Sequence, residues 1–478
     1  MRREPNYIAV FDIGKTNVKL HLLDREFNSL SVDSIKNTVV EADPYPHFDT
    51  DRIWNWLIKT LRTFNDTFPI DAINISAHGA AAALINANAS PGADGLVLPI
   101  LDYEHIGPES LHSEYDQLRP PFEESRSPKL PMGLNLGAQL YWQETSFAAS
   151  FQEATHILPY PQYWAWRLSG ILCSEVTSLG CHTDLWCPEE GSWSSLAKDR
   201  VWERLFPPLV SARSPIGSIS AELADETGID PSCEIYPGVH DSNASFARYI
   251  SRDGQAPFSV ISSGTWAIAM ASGTTLKTLN AERDMLANVD VNGDPIACAR
   301  SMGGREFGAI CDRMDADTDS PVSDEDILQV LHKRVLAIPD FSGGSGPFGG
   351  HKGQILNDCS DLNGAALATV YAALMIDFKL DLLDVRGDVF VEGPFADNSA
   401  LCGLLAQLRP AQRVFASTDI TGTVVGCAQL TLGIDQDPVA QSERVEPRDV
   451  SGLNAYRNHW RKALPTKGAL ETVSTADD

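Results

Sequence analysis

Apolar positions at the start of the chain fall into two short blocks, residues 8–11 and 18–23, separated by small and polar residues. The first block is continuous and β-branched and the second alternates at a period of two. The pair therefore predicts a β-hairpin that turns through Gly14-Lys15-Thr16-Asn17. The same pattern returns at residues 256–272, with Ser262-Ser263-Gly264-Thr265 in the turn. Between the copies an apolar strand ends at Gly238 and a helical stretch begins after Asp241. Residues 51–64 have helical apolar spacing with Asp51 near the start, and residues 71–85 read as strand, tight turn and strand. Residues 363–384 form an alanine- and leucine-rich helix that leads into a buried strand at 388–393, and a last helix is expected near 454–464. This mixture is an α/β pattern. A hairpin opening each half predicts two similar domains, residues 1–248 and 249–478, with the boundary in residues 245–257.

Composition narrows the picture. A chain of 478 residues exceeds one compact core of ordinary size, which agrees with two domains. No apolar run reaches the roughly 18 residues of a membrane span, and "MRREPNYIAV" lacks the apolar core of a secretory signal, so a cytoplasmic protein is expected. The nine cysteines are odd in number and never spaced C-x-x-C, which indicates neither a disulfide framework nor a zinc site. The net charge of -27, from 64 acidic and 37 basic residues, argues against nucleic-acid and anionic-membrane partners. An anionic substrate then needs local cations or a metal.

The first turn offers backbone N–H groups, a hydroxyl and an ammonium, a set suited to gripping phosphate; the alternative is an ordinary turn shaped by its glycine and asparagine. Asp12, at the strand end, has the chemistry to hold a hydrated divalent cation. Asp241 either caps the following helix or accepts the proton of an attacking hydroxyl. The six-glycine stretch at 341–353 is either a flexible linker or a loop that closes on ligand, and Arg305 and Glu306 either form a surface ion pair or reach a cleft.

In order along the chain, "FDIGKTNVK", "LGAQLYWQE", "EVTSLGCHTDLW", "GVHDSNASF", "SSGTWAIAM" and "FSGGSGPFGG" resemble segments of the FGGY family of carbohydrate kinases. The resemblance implies two RNase H-like domains of the actin and hexokinase type with a central cleft, an N-terminal one binding sugar and a C-terminal one binding nucleotide. It implies ATP and magnesium, and transfer of phosphate to a sugar alcohol, with homodimer formation left open. Asp241 becomes the general base, and Asp12 with Asp241 the magnesium site. Gly14, Lys15, Thr16, Asn17, Gly264 and Thr265 become phosphate contacts, and Gly393 and Asn398 nucleotide contacts. The segments "SAHGA" and "PILDYEH" and the combination of "HDSNA" with "SGTW" are similar to L-rhamnulose and L-fuculose kinases, implying His78, Glu104, His240, Asp241 and Trp266 as sugar contacts. On their own, His78 also reads as a structural histidine and Glu104 as a surface residue. Two departures stand out. Gly393-Pro394-Phe395 replaces a run of glycines, and Gln139 replaces a lysine. Rival readings are a pentulose or polyol kinase and a non-catalytic sugar- or nucleotide-binding regulator.

Overall fold

The computed structural model describes residues 5–88, 94–250, 256–417, 422–433 and 442–465. The expected boundary segment and polar tail lie partly outside these residues. The chain forms two compact units, one of Met1–Gln255, Ala287–Pro295 and Thr421–Asp437, the other of Ala256–Leu286, Ile296–Ile420 and Pro438–Asp478.

The first unit is built on a sheet in which β1 (Ile8–Ile13) pairs antiparallel with β2 (Asn17–Leu23), and β2 with β3 (Ser29–Lys36). On its other edge β1 runs parallel to β4 (Ala72–Ala77). The predicted hairpin is present, its turn closed by Gly14 N–H donating to Asn17 O at 2.9 Å. The continuous apolar run of β1 has a physical cause. Ala9, Phe11 and Ile13 enter one core, and Ile8 and Val10 enter another on the opposite face, so neither face tolerates polar residues. Helix α1 (Thr50–Asn65) covers the first core with Ile53, Trp54, Leu57, Ile58, Leu61 and Phe64, a helical stripe, and Asp49 caps it by accepting from Arg52 N–H at 3.1 Å. The second strand expected in residues 71–85 is present as β5 (Ala82–Ile85), which joins Leu96–Leu98 and His156–Pro159 in a separate three-stranded sheet. Strand–turn–strand spacing cannot distinguish a hairpin from a strand that changes sheet.

Farther along, β6 (Glu234–Ile235) and β7 (Val239–His240) both run parallel to β4. Helix α2 (Asp241–Ala247) follows at once, and the helix Gly422–Leu432 packs beside it.

In the second unit, β8 (Phe258–Ser263) and β9 (Ala267–Ala271) make the second predicted hairpin, flanked by β10 (Pro295–Ser301) on one side and the parallel β11 (Asp388–Glu392) on the other. Helix α3 (Gly303–Arg313) follows β10, and α4 (Gly364–Leu382), buried over almost its whole length, precedes β11. Lys379 of α4 is fully buried, and its ammonium donates to Ala267 O at 2.6 Å and Ser301 Oγ at 3.0 Å. That ties the helix to the strand that leaves the hairpin turn. All nine cysteines are free thiols, and among the described residues no helix is long and apolar enough to cross a membrane.

Gly426 permits the close approach under α2: a Cβ there would lie 1.8 Å from Ala244 O. Gly426→Ala is expected to lower the melting temperature by roughly 1–5 °C, since overpacking costs about 1–3 kcal/mol. An unchanged melting temperature in thermal denaturation contradicts this packing.

Candidate active site

Strand register decides which groups meet. Asp12 on β1 lies opposite Ser76 on β4, and Ser76 lies opposite Val239 on β7. Two residues beyond Ser76 is His78; two beyond Val239 is Asp241. Asp12 near the end of its strand, and His78 and Asp241 just past theirs, therefore gather at the carboxyl ends of neighbouring parallel strands, the usual position for ligand sites in α/β sheets. Period two also places Asp12 on the face of Ile8 and Val10, which pack with Val239 and Ala244 around α2. Burial, reinforced by the negative charge of Asp241, pushes the Asp12 carboxyl up to about 6, although Lys19 opposes the shift.

Asp241 is the first residue of α2, while the N-cap position belongs to His240. The Asp241 carboxylate accepts from Ser242 N–H at 2.6 Å and from the Ser242 hydroxyl at 3.3 Å. His240 Nε2 lies 3.4 Å from Asp241 Oδ1. His240 is itself fixed: its N–H donates to Thr177 Oγ1 at 3.1 Å and its Nδ1 lies 2.7 Å from Asn243 Oδ1. Asn243 in turn exchanges hydrogen bonds with the Asn288 amide at 3.2 and 3.0 Å. Behind Thr177, the buried Glu175 accepts the threonine hydroxyl, and burial pushes its carboxyl up to about 8.

His78 is buried against Phe48, Tyr103 and Tyr160, with ring centroids 5.0, 5.3 and 5.0 Å away. Its Nδ1 lies 2.9 Å from Gly79 O, whereas its Nε2 is buried without a hydrogen-bond partner. Burial holds the imidazole well below its usual pKa, so it is neutral. An unpartnered buried ring nitrogen near the Asp241 carboxylate fits an absent polar ligand better than a purely structural histidine. Glu104 is exposed, 3.3 Å from the Lys15 ammonium, which also pairs with Asp102. Asp102, Tyr103 and Phe48 escaped the sequence reading; the first two lie inside the segment already suspected of lining the pocket. Gln139 is buried and its amide donates to Ala80 O at 2.7 Å, holding the turn after β4 as a neutral scaffold.

The second unit contains a pocket of about 700 Å³ lined by Gly264, Thr265, Arg305, Pro394 and Asn398 among others. Gly393, just before the lining residue Pro394, has φ 72° and ψ -162°, and a Cβ there would lie 2.0 Å from Ser263 O. Only glycine fits that position. The departure that follows is absorbed locally. Pro394 begins a short helix where its missing N–H costs nothing, Phe395 N–H donates to Ser263 Oγ at 2.9 Å, and the Phe395 ring is buried near Phe307. The Asn398 side chain accepts from Leu401 N–H at 2.9 Å and donates to Thr369 Oγ1 at 3.2 Å, so it caps a helix at the pocket wall. Trp266 belongs to this unit, with the Arg300 guanidinium 5.1 Å from its ring centroid. Glu306 is neither a surface residue nor half of an ion pair with its neighbour. It is buried, accepts from Tyr371 OH at 2.8 Å and Phe341 N–H at 3.2 Å, and is pushed up to about 7 by burial. The glycine-rich segment is anchored too: Asp340 accepts the N–H groups of Ser342, Gly343 and Gly344 at 2.5–3.2 Å, and Gly346 N–H donates to Asp284 at 3.0 Å. It is a held loop, not a slack linker.

Among the described residues no group of three or more histidine, cysteine, aspartate or glutamate side chains could hold a metal. Two carboxylates suffice for magnesium, which keeps several waters and relies on substrate phosphates. The raised carboxyl of Asp12 beside Asp241 fits a cation that relieves their repulsion.

Residues 7–247 match the N-terminal domain of the FGGY family of carbohydrate kinases, and residues 255–441 match the FGGY carbohydrate kinase C-terminal domain. The chain belongs to this family of ATP-dependent sugar kinases, with their two-domain actin- and hexokinase-like α/β fold. It is similar to a carbohydrate kinase from Novosphingobium aromaticivorans, 34% identical, with a TM-score of 0.87 over 96% of this chain and 98% of that one. It shares its fold with a ligand-bound xylulose kinase from Lactobacillus acidophilus, 15% identical, with a TM-score of 0.75 over 95% and 96% of the two chains. An L-fuculokinase of Salmonella typhi is 22% identical over 284 residues, 57% of each chain, so the match spans little more than half of that curated relative.

The raised Asp12 carboxyl has a testable consequence for stability. Its native pKa of about 6 exceeds the unfolded value of 3.8, so the native state binds the extra proton between those values. Ionised Asp12 is therefore a stability cost that is absent below about pH 4 and complete above about pH 6. Asp12→Asn, in chelator, is expected to melt higher than the parent at pH 8, with the gap shrinking toward pH 4. Equal melting curves at pH 8 contradict the burial.

Proposed function

We propose that the protein transfers the γ-phosphate of ATP to a primary hydroxyl of a ketose, most simply a 6-deoxy-L-ketohexose such as L-rhamnulose or L-fuculose. The observation that carries this reading is a half-exposed carboxylate, Asp241, at a parallel strand end beside Asp12 and the unpartnered Nε2 of His78. Residues 1–248 then form the sugar-binding domain and residues 249–478 the nucleotide-binding domain.

In this reading Asp241 orients the acceptor hydroxyl and takes its proton as the new O–P bond forms and the bond to the ADP oxygen breaks. His240 keeps the Asp241 carboxylate in place through its own contacts with Thr177 and Asn243. His78 Nε2 and the Glu104 carboxylate pair with sugar hydroxyls, and the half-buried Tyr103 ring supplies apolar surface for a methyl group, with the core ring of Phe48 behind His78. In the first unit's turn Thr16 and Asn17 offer a hydroxyl and an amide to phosphate oxygens, and in the second unit's turn Thr265 offers a hydroxyl; Gly14 and Gly264 shape these turns, their own N–H groups donating to Asn17 O and Trp266 O. Gly393 and Asn398 shape the nucleotide pocket by backbone and cap, while Trp266 is assigned to the second unit's hairpin. Asp12 and Asp241 are the residues that would hold magnesium, which supplies charge neutralisation to the phosphates when bound.

The deoxy-ketohexose assignment leans on the partial likeness to L-fuculokinase and on the motifs "HDSNA" and "SGTW". The named xylulose kinase shares only the fold.

The test is kcat/KM for L-rhamnulose, L-fuculose, D-ribulose, D-xylulose, D-fructose and glycerol with magnesium-ATP, for the parent and Asp241→Asn. The deoxy sugars are expected to lead other ketohexoses by about 10²-fold or less, because an added hydroxyl against an apolar wall is weakly rejected. Asp241→Asn should lose roughly 10²–10⁴-fold in kcat with nucleotide affinity retained. A pentulose winning by more than about tenfold overturns the sugar. Near-normal turnover by Asp241→Asn overturns the base, and no phosphorylation of any acceptor moves the regulator reading ahead.

A further inference from the structure

Lys15 occupies the turn that the sequence assigns to phosphate, yet its ammonium is held by Asp102 and Glu104, 87 and 89 positions away in the chain. It pairs with Asp102 Oδ1 and lies 3.3 Å from Glu104 Oε2, 4.8 Å from the Tyr103 ring centroid and 5.3 Å from that of Phe48. An ammonium has three N–H donors and no acceptor, so two carboxylates and two ring faces use its capacity fully. The same rings pack around His78.

The partners have unequal roles. The Asp102 side chain is 9% exposed, and its Oδ1 also accepts Glu104 N–H at 3.2 Å, so this carboxylate shapes the turn 102–104. The Glu104 side chain is 56% exposed, which leaves it accessible to a ligand while one oxygen faces Lys15. Without the cation, Asp102 and Glu104 become adjacent like charges, and the exposed one swings away.

We infer that Lys15 is a positioning residue of the acceptor-sugar site, acting through Asp102 and Glu104, and not a ligand of the transferable phosphate. This rests on the ketose-kinase reading for the identity of the acceptor but not for the placement of Lys15. It ties the opening hairpin to the segment that carries Glu104.

The experiment compares Lys15→Met, Lys15→Arg, Glu104→Gln and the Lys15→Met/Glu104→Gln double variant with the parent, each checked for an unchanged melting temperature. Two readouts are taken: affinity for a non-hydrolysable ATP analogue with magnesium, and KM and kcat for the best acceptor of the panel. For Lys15→Met the analogue affinity should stay within about threefold, while acceptor KM rises roughly ten- to a hundredfold, the range for a hydrogen bond to a charged group. Lys15→Arg should restore most of the KM, because charge and donors return. The double variant should be no worse than Lys15→Met alone, the non-additivity of a shared path. A loss of analogue affinity beyond about tenfold, an unchanged acceptor KM, or additive effects overturn the inference. If the parent phosphorylates no acceptor, the kinase reading fails first, and retained or lost analogue affinity in Lys15→Met still decides for or against the placement of Lys15.

Discussion

Asp12 and Asp241 bear like charge at the ends of two strands, β1 and β7, that flank the same strand, β4, and their separation is set by the sheet rather than by the side chains. Both faces of β1 are buried, so Asp12 cannot escape by a shift in register: a slip of one residue would drive its carboxylate into the other core and exchange the apolar residues of β1 between the two cores. What remains is an electrostatic cost held in place by packing. The chain accepts it where the surrounding groups are locked: His240 between Thr177 and Asn243, Asn243 against Asn288, and α2 against the helix Gly422–Leu432. Such a cost persists where chemistry requires charge.

The second unit solves a different problem, how to leave a pocket open among many N–H groups. Its hairpin turn stays exposed because the groups behind it are committed: Ser263 to Glu392 and Phe395, Lys379 to Ala267, and Glu306 to the start of the glycine-rich loop. Gly393 then turns the chain in a conformation barred to other residues. Glycines in this unit are thus less a sign of slackness than of backbone pressed close to backbone.

Much of this was legible in sequence. Unbroken apolar runs located the buried strands 8–11 and 388–393, small-residue turns located both hairpins, and the aspartate after a strand end located the candidate base. The illegible parts are those where local pattern carries no partner information. "DAINISAHGAAAALI" reads as strand, turn and strand, and both strands form, but nothing local says that the second joins another sheet. Glu306 follows an arginine and reads as surface, but the helix turns it inward to Tyr371. Lys15 sits among phosphate-type residues, and only the fold brings Asp102, 87 positions away, to its ammonium. Asn398 reads as a ligand group and is occupied as a helix cap.

The central claim is that the sheet forces Asp12 and Asp241 into electrostatic contact in a buried setting. Carbon-detected NMR titration of the Asp12 carboxyl, in metal-free protein and in Asp241→Asn, measures this directly. The account predicts a midpoint near 6 in the parent and a lower one in Asp241→Asn that stays above the ordinary carboxylate value, because burial outweighs the neighbour's charge. An Asp12 midpoint near 3.8 in the parent, or one indifferent to Asp241, would contradict it.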